Sequence, residues 1–234
     1  SIQTLFNRNT DVLAFCENKV LKILSNKDAL FNADGNTNLT SVKSVLGTAI
    51  PFSGDYGISR NPESFAADEY RCYFTDRDRG SVCRLSMDGV TPISDIGMKD
   101  WFKDNLKSAV AVIGAFNDSK GEYDITIHNH LGTDDTDENT SVDVTKRVQT
   151  LSFNEKTNSW VSFKSYLLEY GLSLNNEYFT FKQGEVWHHD EVDQYGVTVN
   201  RNNFYDKQFF STVTPVFNDA PGSTKSFQTV NYEG

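Results

Sequence analysis

Four histidines, at positions 128, 130, 188 and 189, are the first residues to weigh for chemistry. His188-His189-Asp190 offers two imidazoles and a carboxylate, donor types that hold zinc. Adjacent residues on a strand point to opposite faces, so His188 and His189 do not share one ion. His128 and His130 share a face at i and i+2, but no third ligand accompanies them. The run Asp134-Asp135-Thr136-Asp137-Glu138-Asn139, with Asp143 beyond, is dense in the oxygen donors calcium takes. It lacks the central Gly and closing Glu of a calcium loop and reads as a solvated acidic loop. Asp and Glu total 32, enough to supply a glycosidase pair. Such a pair is defined by a separation of roughly 5 to 10 Å in space, which spacing along a chain does not carry. No Gly-x-Ser-x-Gly, His-Glu-x-x-His or phosphate-cradling glycine loop occurs. No catalytic residue, cofactor or metal ligand is therefore assigned, and the chain reads as a non-enzyme.

The elements that would have to position any site are strands. Hydrophobic residues make up 38% of the 234 and aromatics 13%, with 17 Phe and 10 Tyr against 2 Met. Aromatic side chains pack well on a half-buried pleated surface, so this balance favours an all-β fold. Leu13–Cys16 and Val20–Leu24 read as a hairpin. Residues 32–64 carry Asn, Gly, Ser, Thr and two prolines, and read as a long irregular loop or chain crossover. Tyr70–Asp76, Ser81–Ser86 and Val90–Ser94 form the clearest meander; Asp88-Gly89 supplies a tight turn, and Pro92 confines the last strand to an edge. Helical spacing of Ile96, Met98, Trp101, Phe102 and Leu106 predicts one helix over 95–107, capped by Ser94 or Asp95. Val110–Phe116, Tyr123–His128, Lys146–Phe153 and Trp160–Lys164 follow as four strands, then Tyr178–Phe181 and Glu185–His188 as a hairpin. Two final strands are expected around 208–217 and 224–232.

Successive meanders of this kind suit a β-propeller-like array of antiparallel hairpins, with a β-sandwich built from the same ingredients as the alternative. The expected blades are 70–94, 110–164 and 177–232, in one β-rich domain spanning 1–234.

The net charge of −10 repels phosphate backbones, and no cluster of Lys and Arg offsets it, so nucleic acid is not an expected partner. No apolar run approaches 18 residues, so no membrane helix is expected. Cys16, Cys72 and Cys83 are an odd count and read as reduced packing residues of a protein formed in a cytoplasm. The start at Ser1-Ile2-Gln3-Thr4 and the stop after a strand-like run fit a segment of a larger protein.

Longer phrases carry a resemblance. They are Phe52-Ser53-Gly54-Asp55-Tyr56-Gly57-Ile58-Ser59-Arg60-Asn61-Pro62-Glu63-Ser64-Phe65, then Tyr73–Asp76 through Arg84–Gly89, then Leu151–Glu155 with Trp160. The last is Phe217–Gly222 with Lys225-Ser226-Phe227 and Asn231–Gly234. From about Leu13 to the end the chain resembles large virion structural proteins of marine tailed phages, especially those infecting cyanobacteria. The resemblance implies a propeller-like region in the tail, baseplate or neck assembly of a virion put together in the host cytoplasm. It implies other virion structural proteins as partners and a symmetric homo-oligomer within the particle, and it brings no active site.

Aromatics outside the alternating core pattern are the interaction candidates: Trp101 on the helix as an anchor for a neighbouring subunit, and Tyr56, Tyr195 and Tyr205 at loop tips. Loop-tip tyrosines would equally suit a receptor-binding module that recognises a host surface glycan, the alternative function. A polysaccharide hydrolase ranks last because no motif supports it.

Overall fold

The computed structural model describes residues 1–8, 11–31, 37–129, 148–194, 196–214 and 222–226, with backbone alone for 26–31, 37–44 and Gln194. The fold is all-β, and among the described residues one α-helix is present. Strands β1 (Ile2–Arg8), β2 (Asp11–Cys16), β3 (Val20–Phe31) and β4 (Thr37–Pro51) make a first antiparallel sheet in chain order. Strands β5 (Ala66–Ala67), β6 (Cys72–Asp76), β7 (Ser81–Ser86) and β8 (Gly89–Pro92) make a second. The helix α1 (Lys99–Leu106) leads into a third sheet, β9 (Ala111–Asn117), β10 (Glu122–His128), β11 (Val148–Asn154) and β12 (Ser159–Lys164). A fourth has three strands, β13 (Tyr170–Leu174), β14 (Glu177–Lys182) and β15 (Glu185–His188). Two short hairpins end the described chain, β16 (Asp193–Gln194) with β17 (Val197–Thr198) and β18 (Asn203–Phe204) with β19 (Lys207–Gln208).

Each sheet stacks on the next, which forces the inner sheets to be buried on both faces. All five residues of β6 are buried: Cys72 and Phe74 pack towards the first sheet, and Tyr73 towards the third. The Phe15 ring meets Phe74 edge-on at 5.2 Å, and Tyr73 stacks on Tyr123 at 5.0 Å. On β10, Tyr123, Ile125 and Ile127 enter the core shared with Tyr73, Val82 and the helix residues Phe102 and Leu106. Alternation sends Asp124 and Thr126 to the opposite face, buried against the third sheet's other neighbour. There Thr126 and Thr150 share a hydroxyl hydrogen bond at 2.6 Å, one of the partnerships that make burial of polar groups tolerable.

Close approach of the sheets depends on two glycines. A Cβ at Gly114 on β9 would stand 2.2 Å from the Ser64 carbonyl oxygen, and one at Gly171 on β13 would stand 2.7 Å from Ala115 Cβ. Both values lie inside van der Waals contact, so the first strands of the second, third and fourth sheets can lie side by side only because these positions lack side chains.

The loop before β5 is fixed by a buried carboxylate. Asp76, fully buried at the end of β6, accepts from the Gly57 amide at 3.1 Å, the Ser59 hydroxyl at 3.2 Å, and the amide and guanidinium of Arg79, each at 3.0 Å. Between the second and third sheets, Tyr73 donates to Glu155 at 2.8 Å, and Arg84 pairs with the same carboxylate at 3.0 Å.

Several sequence expectations are corrected. The segment 32–64 is not irregular throughout: Thr37–Pro51 pairs with β3, because the ladder supplies what its Ser, Thr, Asn and Gly content does not signal. The helix starts at Lys99, not 95; Ile93–Asp95 is a separate 3-10 turn, Met98 holds the cap position, and no side-chain cap bond forms. Residues 177–232 do not form one blade in the described part, since β14 and β15 pair with β13 at Tyr170–Leu174 and the rest breaks into two-residue hairpins. Residues 209–214 and 224–226 carry no strand, and the remainder of those two expected strands lies outside the described residues. The first sheet's β1 was not foreseen.

Candidate functional site

The cleft of interest has a volume of about 530 Å³ and opens beside the third and fourth sheets. One wall is the end of β12 and the connection after it, with Lys164 and Tyr166. The end of β15 supplies Trp187, His189 and Asp190, and the hairpin around β18 supplies Phe204 and Tyr205.

The floor is an aromatic cluster around an imidazole. His189 is 7% exposed, and its ring packs against Tyr166 at 4.7 Å, Tyr178 at 5.3 Å and Phe204 at 5.8 Å. Its Nε2 shares a hydrogen bond of 2.6 Å with the Thr180 hydroxyl, which is itself 3.0 Å from the Tyr205 hydroxyl. Burial depresses the His189 pKa to about 4, against the attraction of neighbouring Asp190, so the ring is neutral at pH 7. A hydroxyl next to a neutral imidazole has the outline of a nucleophile and base, but Thr180 is fully buried.

Behind the aromatic floor sits Asp124. It is fully buried and accepts hydrogen bonds from Ser152 and, at 2.5 Å, from the Tyr166 hydroxyl. Burial pushes its pKa up, opposed by Lys164 and by those two donors. Nearer the mouth, Lys120 pairs with Asp190, and Asn117 donates to the same carboxylate at 3.4 Å. Lys164 pairs with Glu122 at 2.9 Å. The carboxylates lining this region are thus each committed to a partner in the fold. The buried Nε1 of Trp187 has no hydrogen-bond partner among the described residues.

The structure separates His188 from His189 as strand alternation requires. His188 stacks on Phe179 at 4.8 Å and pairs with Glu191 at 2.6 Å on the far face of the sheet. Among the described residues no three of His, Cys, Asp and Glu converge in a way that could hold a metal ion. His130 and the acidic run 134–143 lie outside the described residues.

Of the four aromatic candidates, Tyr205 lines the cleft, its ring edge-on to Trp187 at 5.4 Å. Tyr56 is half-buried and packs against the core between the first and second sheets. Trp101 is half-buried on the helix, with Phe102 at 5.0 Å and Phe163 at 5.5 Å. Tyr195 lies outside the described residues. Sequence reasoning did not single out Tyr166, Trp187 or Asp124 for this cleft. The signal for Asp124 was its place in Tyr123-Asp124-Ile125-Thr126-Ile127, where a charge on a strand is ordinarily assigned to solvent.

Residues 45–184, more than half of the chain, match the family model described as crassvirus muzzle protein. The match names crassviruses, not marine cyanophages. Comparison with curated proteins finds no match.

Proposed function

We propose, from the premise that this chain belongs to the crassvirus muzzle protein family, that it works as a protein–protein interaction module of the phage tail. The family makes it a virion structural protein, and the reading adds how it acts: through surface complementarity with neighbouring virion proteins, with one patch repeated around a symmetric assembly. The observation that carries this is the stack of successive antiparallel sheets, whose inner members are buried on both faces. Its buried carboxylates Asp76 and Asp124 are consumed by partners within the fold. The first strands of the second, third and fourth sheets run side by side, as inner strands do in a propeller-like array, and the chain is read as one domain of that kind. Catalysis plays no part in this reading, and the net charge of −10 favours protein partners over nucleic acid. Among the described residues no helix is long and apolar enough to cross a membrane.

Mass spectrometry of purified particles together with antibody-gold labelling tests the proposal. The chain should be present in stoichiometric amount and label one discrete place on the tail, at its base or neck. Its absence from particles would overturn the reading. Labelling at fibre tips would transfer the chain to the second reading, recognition of a host surface glycan. That reading is favoured by Tyr205 and Trp187 meeting edge-on in the cleft, and a glycan array with the purified chain would decide it.

A further inference from the structure

The cleft between the end of β15 and the hairpin around β18 has committed all but one of its charged side chains. Lys120 pairs with Asp190, Lys164 with Glu122, and His188 with Glu191. The lysines and carboxylates that line the cleft are thus engaged within the fold. Arg201 lines it too and is exposed, yet its guanidinium makes no ion pair and no hydrogen bond among the described residues. Its backbone carbonyl alone is used, by the Gln208 side chain at 2.8 Å. The other polar groups of the rim are amides and hydroxyls. Asn200, Asn203 and Thr212 among them are exposed and have no side-chain hydrogen bond among the described residues. Apolar rings share the same lining: Phe210 is 91% exposed and Phe163 52%, with Phe204 and Tyr205 half-buried.

Backbone strain marks the same place. Tyr205 and Asp206 are the two central residues of the turn between β18 and β19, with φ of +54° and +58°. Such a turn ordinarily takes Asn-Gly or Asp-Gly, and a bulky residue with positive φ is an outlier. Tyr205 is held there by its hydroxyl, 3.0 Å from that of Thr180, and by its ring against Trp187 at 5.4 Å. Strained positions of this kind cluster where a side chain is presented to a ligand.

Three demands on a ligand follow: an apolar face for the rings, hydroxyls for the amides, and one acidic group for Arg201. A pyranose bearing a carboxylate meets all three. We propose that this cleft binds a uronic-acid unit of a host polysaccharide, with its carboxylate on the Arg201 guanidinium. The inference rests on the second reading, recognition of a host surface glycan, and names the class of sugar. A guanidinium donates two parallel hydrogen bonds to a planar carboxylate, a match in shape as well as charge. The sugar ring lies against Phe204, Tyr205 and Phe210, and its hydroxyls meet Asn200 and Asn203. The cleft volume of about 530 Å³ falls within the roughly 300–1,000 Å³ common for small-ligand sites. The net charge of −10 opposes an acidic ligand only at a distance, and salt at about 0.1 M largely screens it beyond about 10 Å.

Isothermal titration of the full chain with tetramers of galacturonic, glucuronic and mannuronic acid, and with neutral tetramers of the matching hexoses, tests the proposal. At least one acidic tetramer should bind about tenfold or more tightly than its neutral counterpart. Arg201→Gln should erase that preference and bring the pair within about twofold of each other. Phe210→Ala should weaken both alike, since it removes a ring and no charge. Both substituted positions are exposed, so neither variant disturbs the core. Equal affinity for acidic and neutral tetramers, or a preference that survives in Arg201→Gln, would overturn the acidic class and leave glycan recognition standing. A tetraglutamate peptide that binds as tightly as the acidic tetramer would overturn it too, because the cleft would then read charge and not sugar. Failure of every acidic tetramer to bind would also overturn it, and only a glycan array without a single hit would remove the glycan reading as well.

Discussion

The Tyr166 hydroxyl donates to the Asp124 carboxylate at 2.5 Å, joining the third sheet to the segment that leads into the fourth. Asp124 is fully buried, and Ser152 on the adjacent strand is its second donor. Burial raises the folded-state pKa of this carboxyl, so its contribution to stability is fully present below the unfolded value, about 3.9, and is lost as pH rises through the folded value. Asp124→Asn, a neutral group of the same shape, should therefore be at least as stable as the native chain at pH 7. Its advantage should vanish as pH falls towards 4. Tyr166→Phe should cost about 1–2 kcal/mol at pH 7, because the carboxyl loses a donor it needs. Urea unfolding of both variants at the two pH values checks this; an Asn variant several kcal/mol weaker at pH 7 would show the charged form to be the favoured one.

His189 predicts the opposite slope. Its folded-state pKa is lowered to about 4 from an ordinary 6.5, chiefly by burial among Tyr166, Tyr178 and Phe204. A base with a depressed pKa contributes stability that is intact above 6.5 and declines as pH falls from there through about 4. The full loss is about 3 kcal/mol. His189→Gln should flatten the stability profile between pH 7 and pH 4 while lowering its plateau. Chemical denaturation across that range, read by tryptophan fluorescence, would expose a native slope that the variant fails to remove.

How far such features can be read from sequence depends on whether burial follows periodicity. Val110–Phe116 and Tyr123–His128 declared themselves as strands through aromatic and β-branched content, and the structure pairs them within a residue of the expected ends. Thr37–Pro51 did not, since Asn, Ser and Gly interrupt its apolar residues and its strand character comes from pairing with β3. The cleft was legible at Tyr205, where an aromatic near a turn stood out, and at His188-His189-Asp190, weighed there as metal donors. The burial of Asp124 and His189 stayed hidden because both break the ordinary pattern for buried positions. Their partners Tyr166 and Thr180 lie 42 and 9 residues away in sequence, with no spacing rule to connect them.

Asp76 makes a sharper prediction about loop order. It receives hydrogen bonds from Gly57, Ser59 and Arg79, and replacement by Ala strands those donors in the interior. Asp76→Ala should cost about 3 kcal/mol. Amide hydrogen exchange should quicken at Gly57 before it quickens in β10. Uniform protection at Gly57 in the variant would show that the loop is held by other contacts.

Cys72 and Cys83 should be silent to thiol reagents in the folded chain. Both are free and buried, and burial pushes the Cys72 thiol up to about 12 and Cys83 well above its ordinary value. Register sets Cys83 opposite Phe74 and Cys72 opposite Leu85, so the two are not directly paired. Titration with an aromatic disulfide should therefore release about one equivalent or fewer at once, from half-buried Cys16, and all three only in denaturant. Immediate reaction of all three would mean that the second sheet opens readily.

Gly114 tests the stacking of sheets most directly, because its space is filled by backbone and not by a side chain that can rotate away. A methyl group there would meet the Ser64 carbonyl oxygen at 2.2 Å, so β9 or the Pro62–Ser64 turn would have to move. Gly114→Ala has a small favourable effect on chain entropy, at most about 1 kcal/mol, and a packing cost of about 1–3 kcal/mol or more. The packing cost wins, since backbone on both sides resists the shift. Tyr123 is also affected, as its hydroxyl donates to that same carbonyl at 2.7 Å. The variant should unfold at a lower urea midpoint than the native chain, and more so than Gly121→Ala, where added bulk meets nothing within 4 Å and only the positive φ of +64° is strained. Equal midpoints for the two variants would show that the second and third sheets are not held at this distance.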